Sequence, residues 1–180
     1  MRERYANPSS PYPAGEASAD AIRAARGQVA SLLGCLPSEI CFTSGASESI
    51  ATAFASAQAT APAERRKLVV SSVEHSAVKY SAQRAGDEGW DLVVIGVDEE
   101  GRLDRERLLS ELDSSCAFVS LILANNETGA LSAPPGVGAA CRAAGARLRG
   151  DPVPAPGNLR LDVVALRCAF LPPSRPRFSR

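Results

Sequence analysis

Apolar residues recur at helical spacing through Ile22, Val29, Leu32 and Leu33, inside a segment bounded by Gly15 and Gly34. That spacing predicts a helix which Gly34 stops. A β-like run, Glu39-Ile-Cys-Phe-Thr43, follows, and after Ser44-Gly45 an alanine-rich stretch reads as a helix to about Thr60. Lys67-Leu-Val-Val-Ser-Ser72 predicts a strand, His75 to Gly89 a helix, and Asp91-Leu-Val-Val-Ile-Gly-Val97 another strand. Asp104 to Leu112 predicts a short helix with Asp104 as its N-cap. Cys116 to Ala124 is the most apolar strand, which predicts a central position, and Ala146-Arg-Leu-Arg-Gly ending at Asp151 is a weaker one.

Short strands alternating with helices predict an α/β fold, a mostly parallel sheet with helices on both faces. Right-handed crossovers in such a sheet gather the loops after the strands along one edge, where ligands bind. The polar, small-residue sequences fall there: Ser44-Gly-Ala-Ser-Glu48, Val73-Glu-His75, Asn125-Asn-Glu-Thr-Gly129 and Asp151.

Composition narrows the class. Hydrophobic residues make up 45% of the 180 and charged residues 22%, with a formal net charge of zero. This balance describes a globular protein and argues against a nucleic-acid surface. No apolar run reaches the roughly 20 residues of a membrane span, so a cytoplasmic location with no membrane partner is expected. Five widely spaced cysteines without a C-x-x-C, beside a single histidine, exclude a zinc site. The first four, Cys35, Cys41, Cys116 and Cys141, read as small buried hydrophobes. Of the 20 basic residues only Lys67 and Lys79 are lysines.

Each ligand-edge residue has a plain reading and a chemical one. Ser44-Gly-Ala-Ser-Glu48 is an ordinary N-cap or a phosphate site made of free amides at a helix start. His75 is a solvated first-turn residue, or a ring that lies over an aromatic system and relays protons. Asn126 and Glu127 form a turn, or a carboxamide that holds a ring hydroxyl. Asp151 is a surface turn residue, or the partner of a protonated pyridine nitrogen. Gly136-x-Gly138 hints at a nucleotide-binding domain, but it follows Pro-Pro rather than a strand and has no third glycine at Cys141.

Together and in this order these pieces resemble the class V aminotransferase family, and within it the cysteine desulfurases and selenocysteine lyases. The matching stretches are Asn7-Pro-Ser-Ser-Pro-Tyr-Pro-Ala-Gly15, Ile40 to Glu48, Ser71-Ser-Val-Glu-His75, Leu123 to Gly129, Asp151, Ala155-Pro-Gly157 and Leu161-Asp162-Val163. The resemblance implies part of the large domain of fold-type I enzymes that use pyridoxal 5'-phosphate (PLP). It implies that Ala46 and Ser47 bind the phosphate, and that His75 stacks on the pyridine ring and acts in catalysis. It implies that Asn126 contacts the ring hydroxyl or the substrate carboxylate, and that Asp151 pairs with the ring nitrogen. The implied substrate is L-cysteine or selenocysteine, and the implied protein partner a second copy or a full-length homologue.

The chain also departs from the family. Ser47 stands where relatives usually have Thr, and Pro154 where they have a cofactor-touching Gln. Extension from Asp151 sets Ser174-Arg-Pro-Arg177 on the Ser-x-His-Lys element whose lysine holds the cofactor. A guanidinium cannot take that role, because it does not lose its proton near neutral pH. The expectation is therefore a partial large domain over residues 1–166, truncated at both ends, with an aberrant disordered tail over 167–180. PLP is expected to bind weakly and non-covalently, and sulfur release to be lost.

Overall fold

The computed structural model describes residues 5–122 and 136–151. They fall into two compact units, residues 5–42 and the remainder from Thr43 onward.

The first unit is built on helix α1 (Pro13–Leu33). Pro13 sits at its first turn, where a missing amide costs nothing. Gly34 ends it in a left-handed conformation (φ 69°) with its amide returned to the Ala30 carbonyl. Gly15 answers a close approach, since a Cβ there would stand 2.5 Å from the Ser10 carbonyl oxygen and 2.8 Å from that of Asn7. The Arg26 guanidinium lies 5.5 Å from the centre of the Phe42 ring.

The expected strand over Glu39–Thr43 is not formed. Pro37–Glu39 is a 3-10 turn, locked by the Glu39 carboxylate accepting the Leu36 amide at 2.7 Å. Ile40 is extended, but 40–43 has no ladder partner among the described residues, and Phe42 is 49% exposed. Its β-branched and aromatic content supplies propensity, and propensity without a neighbouring strand makes no ladder.

In the second unit, helix α2 (Ala46–Thr60) leads to β1 (Lys67–Ser71), α3 (Ser76–Asp87), β2 (Asp91–Ile95), α4 (Arg105–Glu111), β3 (Cys116–Ile122), α5 (Val137–Ala143) and β4 (Arg147–Asp151). The sheet order is β2-β1-β3-β4, and every pairing is parallel. Helix α4 starts on Asp104, whose carboxylate accepts the Arg107 amide at 2.9 Å, as expected for an N-cap. Strand β3 is internal and buried at all seven positions, which is why it is the most apolar run.

Period-two alternation sends the strands' side chains into two cores. Leu68, Val70 and Phe118 pack with Ile50, Phe54 and Val78 beneath α2 and α3. Val69, Val119, Leu121 and Leu148 pack with Leu108, Val137 and Cys141 beneath α4 and α5. Helices thus cover both faces, as the alternation of elements requires. The chain leaves β1 for β2 on one side, and then returns past β1 to β3 and β4 on the other. The junction of β1 and β3 is therefore a topological switch point, where loops part to opposite faces and leave a crevice.

Candidate functional site

Parallel strands put their C-terminal ends on one edge. Helix α2 feeds β1 from the opposite edge after packing along the sheet, so its N-terminus returns to this edge, beside the start of α3. The predicted loop 44–48 and the loop 73–75 thus lie at the same edge of the sheet. Strand β3 points its end, Ile122, to the same edge. Asn126 and the Asn125–Gly129 loop lie outside the described residues, as do 155–157 and 161–163. Asp151 is the last residue of β4, paired in register with Ile122 and so on this edge too.

The start of α2 is exposed. Gly45 is extended and exposed, and nothing stands within 4 Å of where its Cβ would be. The Glu48 carboxylate folds back to accept the Ser44 amide at 2.6 Å, and hydrogen bonds from Ser44, side chain first, hold its carboxyl below the usual range. Ala46 and Ser47 are exposed in the first turn, where amides have no partner within the helix. Oriented N–H groups, a hydroxyl and the positive end of a 15-residue helix suit a phosphate.

His75 is the N-cap of α3. Its Nδ1 accepts the Ala77 amide at 3.1 Å. In the neutral ring, that bond leaves the proton on Nε2. The ring is exposed. The donor set fits a phosphorylated aromatic cofactor at its phosphate and over its ring.

One cluster here was missed by sequence reasoning. Glu74 and Arg149 are buried, 3% and 0% exposed. Arg149 Nη1 lies 3.4 Å from Glu74 Oε2 and donates to Ser120 Oγ at 2.9 Å, while Ser71 Oγ donates to Glu74 Oε1 at 3.2 Å. The available signal was a charge at an inner register of a buried parallel strand, where apolar residues are the rule.

The lysines sit apart from this arrangement. Lys67 opens β1 at the opposite edge, with Nζ 2.6 Å from Asp113 Oδ2 and 3.2 Å from Glu111 Oε2. Lys79 is exposed on α3, one turn beyond His75. Among the cysteines, Cys116 and Cys141 are buried as expected. Cys41 is exposed and Cys35 half-buried, because the strand that was to bury Cys41 does not form.

Known proteins resemble this chain in sequence and in fold. The chain is 39% identical over 166 residues to a cysteine desulfurase of Enterobacter agglomerans, covering 92% of this chain and 41% of that protein. It is 42% identical over 161 residues to a cysteine desulfurase of Cereibacter sphaeroides, covering 88% and 41%. Among solved structures, a NifS-like protein superposes with a TM-score of 0.83 at 30% identity, over 93% of this chain and 46% of that one. SspA in complex with cysteine superposes with a TM-score of 0.85 at 26% identity, over 95% and 49%. The chain thus spans under half the length of these relatives. Among the described residues no helix is long and apolar enough to cross a membrane. The sequence profile of the class-V aminotransferases matches residues 1–174, and with the shared half-sheet this makes the chain a member of the class-V aminotransferase family.

Proposed function

We propose that this chain is the cofactor-cradling segment of a cysteine desulfurase-type protein, and that it binds PLP weakly and without a covalent bond. The observation that carries the reading is the order of elements, which sets the α2 N-terminus and His75 at the same edge of the sheet as the switch point between β1 and β3. Ala46 and Ser47 would take the phosphate on first-turn amides and the Ser47 hydroxyl. His75 would lie over the pyridine ring, with Nε2–H as its mobile proton. Asp151 and Asn126 are proposed for the ring nitrogen and ring hydroxyl. When bound, the cofactor supplies an electron sink for bonds at the α-carbon of an amino acid such as cysteine.

The proposal of non-covalent binding rests on the amines. Lys67 is held by two carboxylates at the far edge, and these keep it protonated; a protonated amine is no nucleophile. Lys79 lies along the outer side of α3, and reacting atoms must meet within about 3–3.5 Å.

Equilibrium dialysis of the chain with PLP, with pyridoxal and with inorganic phosphate tests the cradle. PLP is expected to bind, pyridoxal to bind more weakly, and phosphate to compete. Equal retention of PLP and pyridoxal would remove the phosphate site. Borohydride reduction followed by peptide mapping tests the second half. A stoichiometric adduct on Lys67 or Lys79, with alanine formed from cysteine, would overturn it.

A further inference from the structure

A carboxylate withdrawn from water is costly unless a cation and hydrogen bonds replace its hydration. Glu74 meets those terms through residues drawn from three strands. Ser71 ends β1, Ser120 belongs to β3, and Arg149 is the middle residue of β4. Ser71 Oγ and Arg149 Nη1 address different oxygens of the one carboxylate, at 3.2 and 3.4 Å. Ser120 fixes the same guanidinium nitrogen at 2.9 Å. The Arg149 side chain therefore reaches past β3 toward β1, at the edge where the candidate site lies.

Glu74 immediately precedes His75, and the backbone at His75 (φ −58°, ψ 148°) then turns into α3. Whatever fixes the Glu74 carboxylate also fixes where the imidazole leaves the chain. We propose that Arg149 is a positioning residue, acting through Glu74 to hold the His75 ring in its Nδ1-accepting pose over the candidate cofactor site. At 3.4 Å the contact is a charge pair rather than a short hydrogen bond. Its effect is to keep Glu74 from turning out to water and carrying His75 with it. The proposal rests on the reading of His75 as a site residue, but its test needs no cofactor.

His75 is the only histidine of the chain, so its imidazole nitrogens are unambiguous in ¹⁵N-labelled protein. The full chain should show one dominant neutral tautomer, with the proton on Nε2. In Arg149→Met the Glu74 carboxylate loses its cation, and the ring should relax to a mixture: the Nδ1 resonance shifts upfield and the Nε2 resonance downfield. The double variant Glu74→Gln/Arg149→Met removes both charges and keeps the volume filled, a replacement that buried ion pairs often tolerate. It should show the same mixed tautomers on a wild-type circular dichroism spectrum. Unchanged imidazole resonances in either folded variant would overturn the proposal. Failure of both variants to fold would overturn it as well, by assigning the pair to stability alone. Failure of the unaltered chain to bind PLP, with the imidazole resonances shifting in the variants as expected, would strike the cradle reading and leave the clamp standing.

Discussion

Lys67 Nζ stands 2.6 Å from Asp113 Oδ2, across the edge of the sheet opposite the candidate site. This contact ties the first residue of β1 to the turn before β3, two neighbouring strands whose parallel register shifts between Lys67 and Leu68. The hydrogen bond from Lys67, then those from Ser115, hold the Asp113 carboxyl well below the usual carboxylate range. The same contact raises Lys67 above its ordinary value.

Linkage gives the sign. A carboxyl whose folded value is depressed binds fewer protons in the native state, so its contribution is present above the unfolded value of about 3.9. It is lost as pH falls from about 4 toward the folded value. Seen from Lys67, the same contribution is present below about pH 10.4 and is lost at higher pH. Urea midpoints for Asp113→Asn are therefore expected to fall relative to wild type at pH 7, with the gap narrowing progressively as the pH falls below about 4. A constant gap between the two proteins across that range would contradict the coupling. Because the Asp113 side chain is half exposed, added salt should narrow the gap.

The cysteines should react in an order set by burial. Burial pushes the Cys116 thiol up to about 11, which at pH 8 leaves a thiolate fraction of about one in a thousand. Cys141 is buried and Cys41 exposed. Cys35 is raised by desolvation and then by the Glu39 charge. Among the four described cysteines, iodoacetamide at pH 8 should label Cys41 first in the folded chain, and Cys116 and Cys141 only in denaturant. Peptide mapping that finds Cys116 labelled as fast as Cys41 without denaturant would refute this core.

Phe118 is wholly buried, and its ring meets Phe54 edge-on at 5.0 Å with an interplanar angle of 69°. This pair joins the central strand to α2, so it supports the helix whose N-terminus is proposed to receive the phosphate. Phe118→Ala is expected to cost about 3–5 kcal/mol by lost transfer energy plus the cavity. Val94→Ala, on the edge strand at 55% exposure, should cost within about 0.5 kcal/mol. Chemical denaturation of the two variants side by side checks the ranking.

Periodicity made most of the sheet legible. Lys67 to Ser71 and Cys116 to Ile122 are apolar runs too short for helices, and each is closed by polar residues. Asp104 announced α4 because a capping carboxylate is a local device, visible within four residues. The failure at Glu39–Thr43 has the opposite cause, since a ladder depends on a neighbour far away in sequence. The buried cluster was hidden for the same reason. Glu74, Ser120 and Arg149 are 29 to 75 residues apart, and only the strand order puts them in contact. The candidate site was legible to the extent that it is made of helix starts at strand ends. Its support from beneath was not.

The N-terminus of α2 offers a prediction in which stability and binding move in opposite directions. A carboxylate in the first turn of a helix interacts favourably with the helix dipole, by about 0.3–1 kcal/mol at an exposed position. Ser47 is exposed in that turn, one residue before Glu48 and two after the extended Gly45. Ser47→Asp should therefore raise the thermal midpoint slightly, or leave it unchanged. The same carboxylate would sit among the amides proposed to receive the phosphate, where like charge repels a dianion. PLP affinity is expected to fall at least tenfold, about 1.4 kcal/mol, while pyridoxal, which lacks the phosphate, should bind as to wild type. Ser47→Ala provides the smaller step, with one hydroxyl removed and no charge added. Differential scanning fluorimetry reads the first quantity and equilibrium dialysis the second, on the same samples. A variant that is more stable and still retains PLP at wild-type affinity would mean that the phosphate is held elsewhere, and the proposed cradle at Ala46 and Ser47 would have to be abandoned.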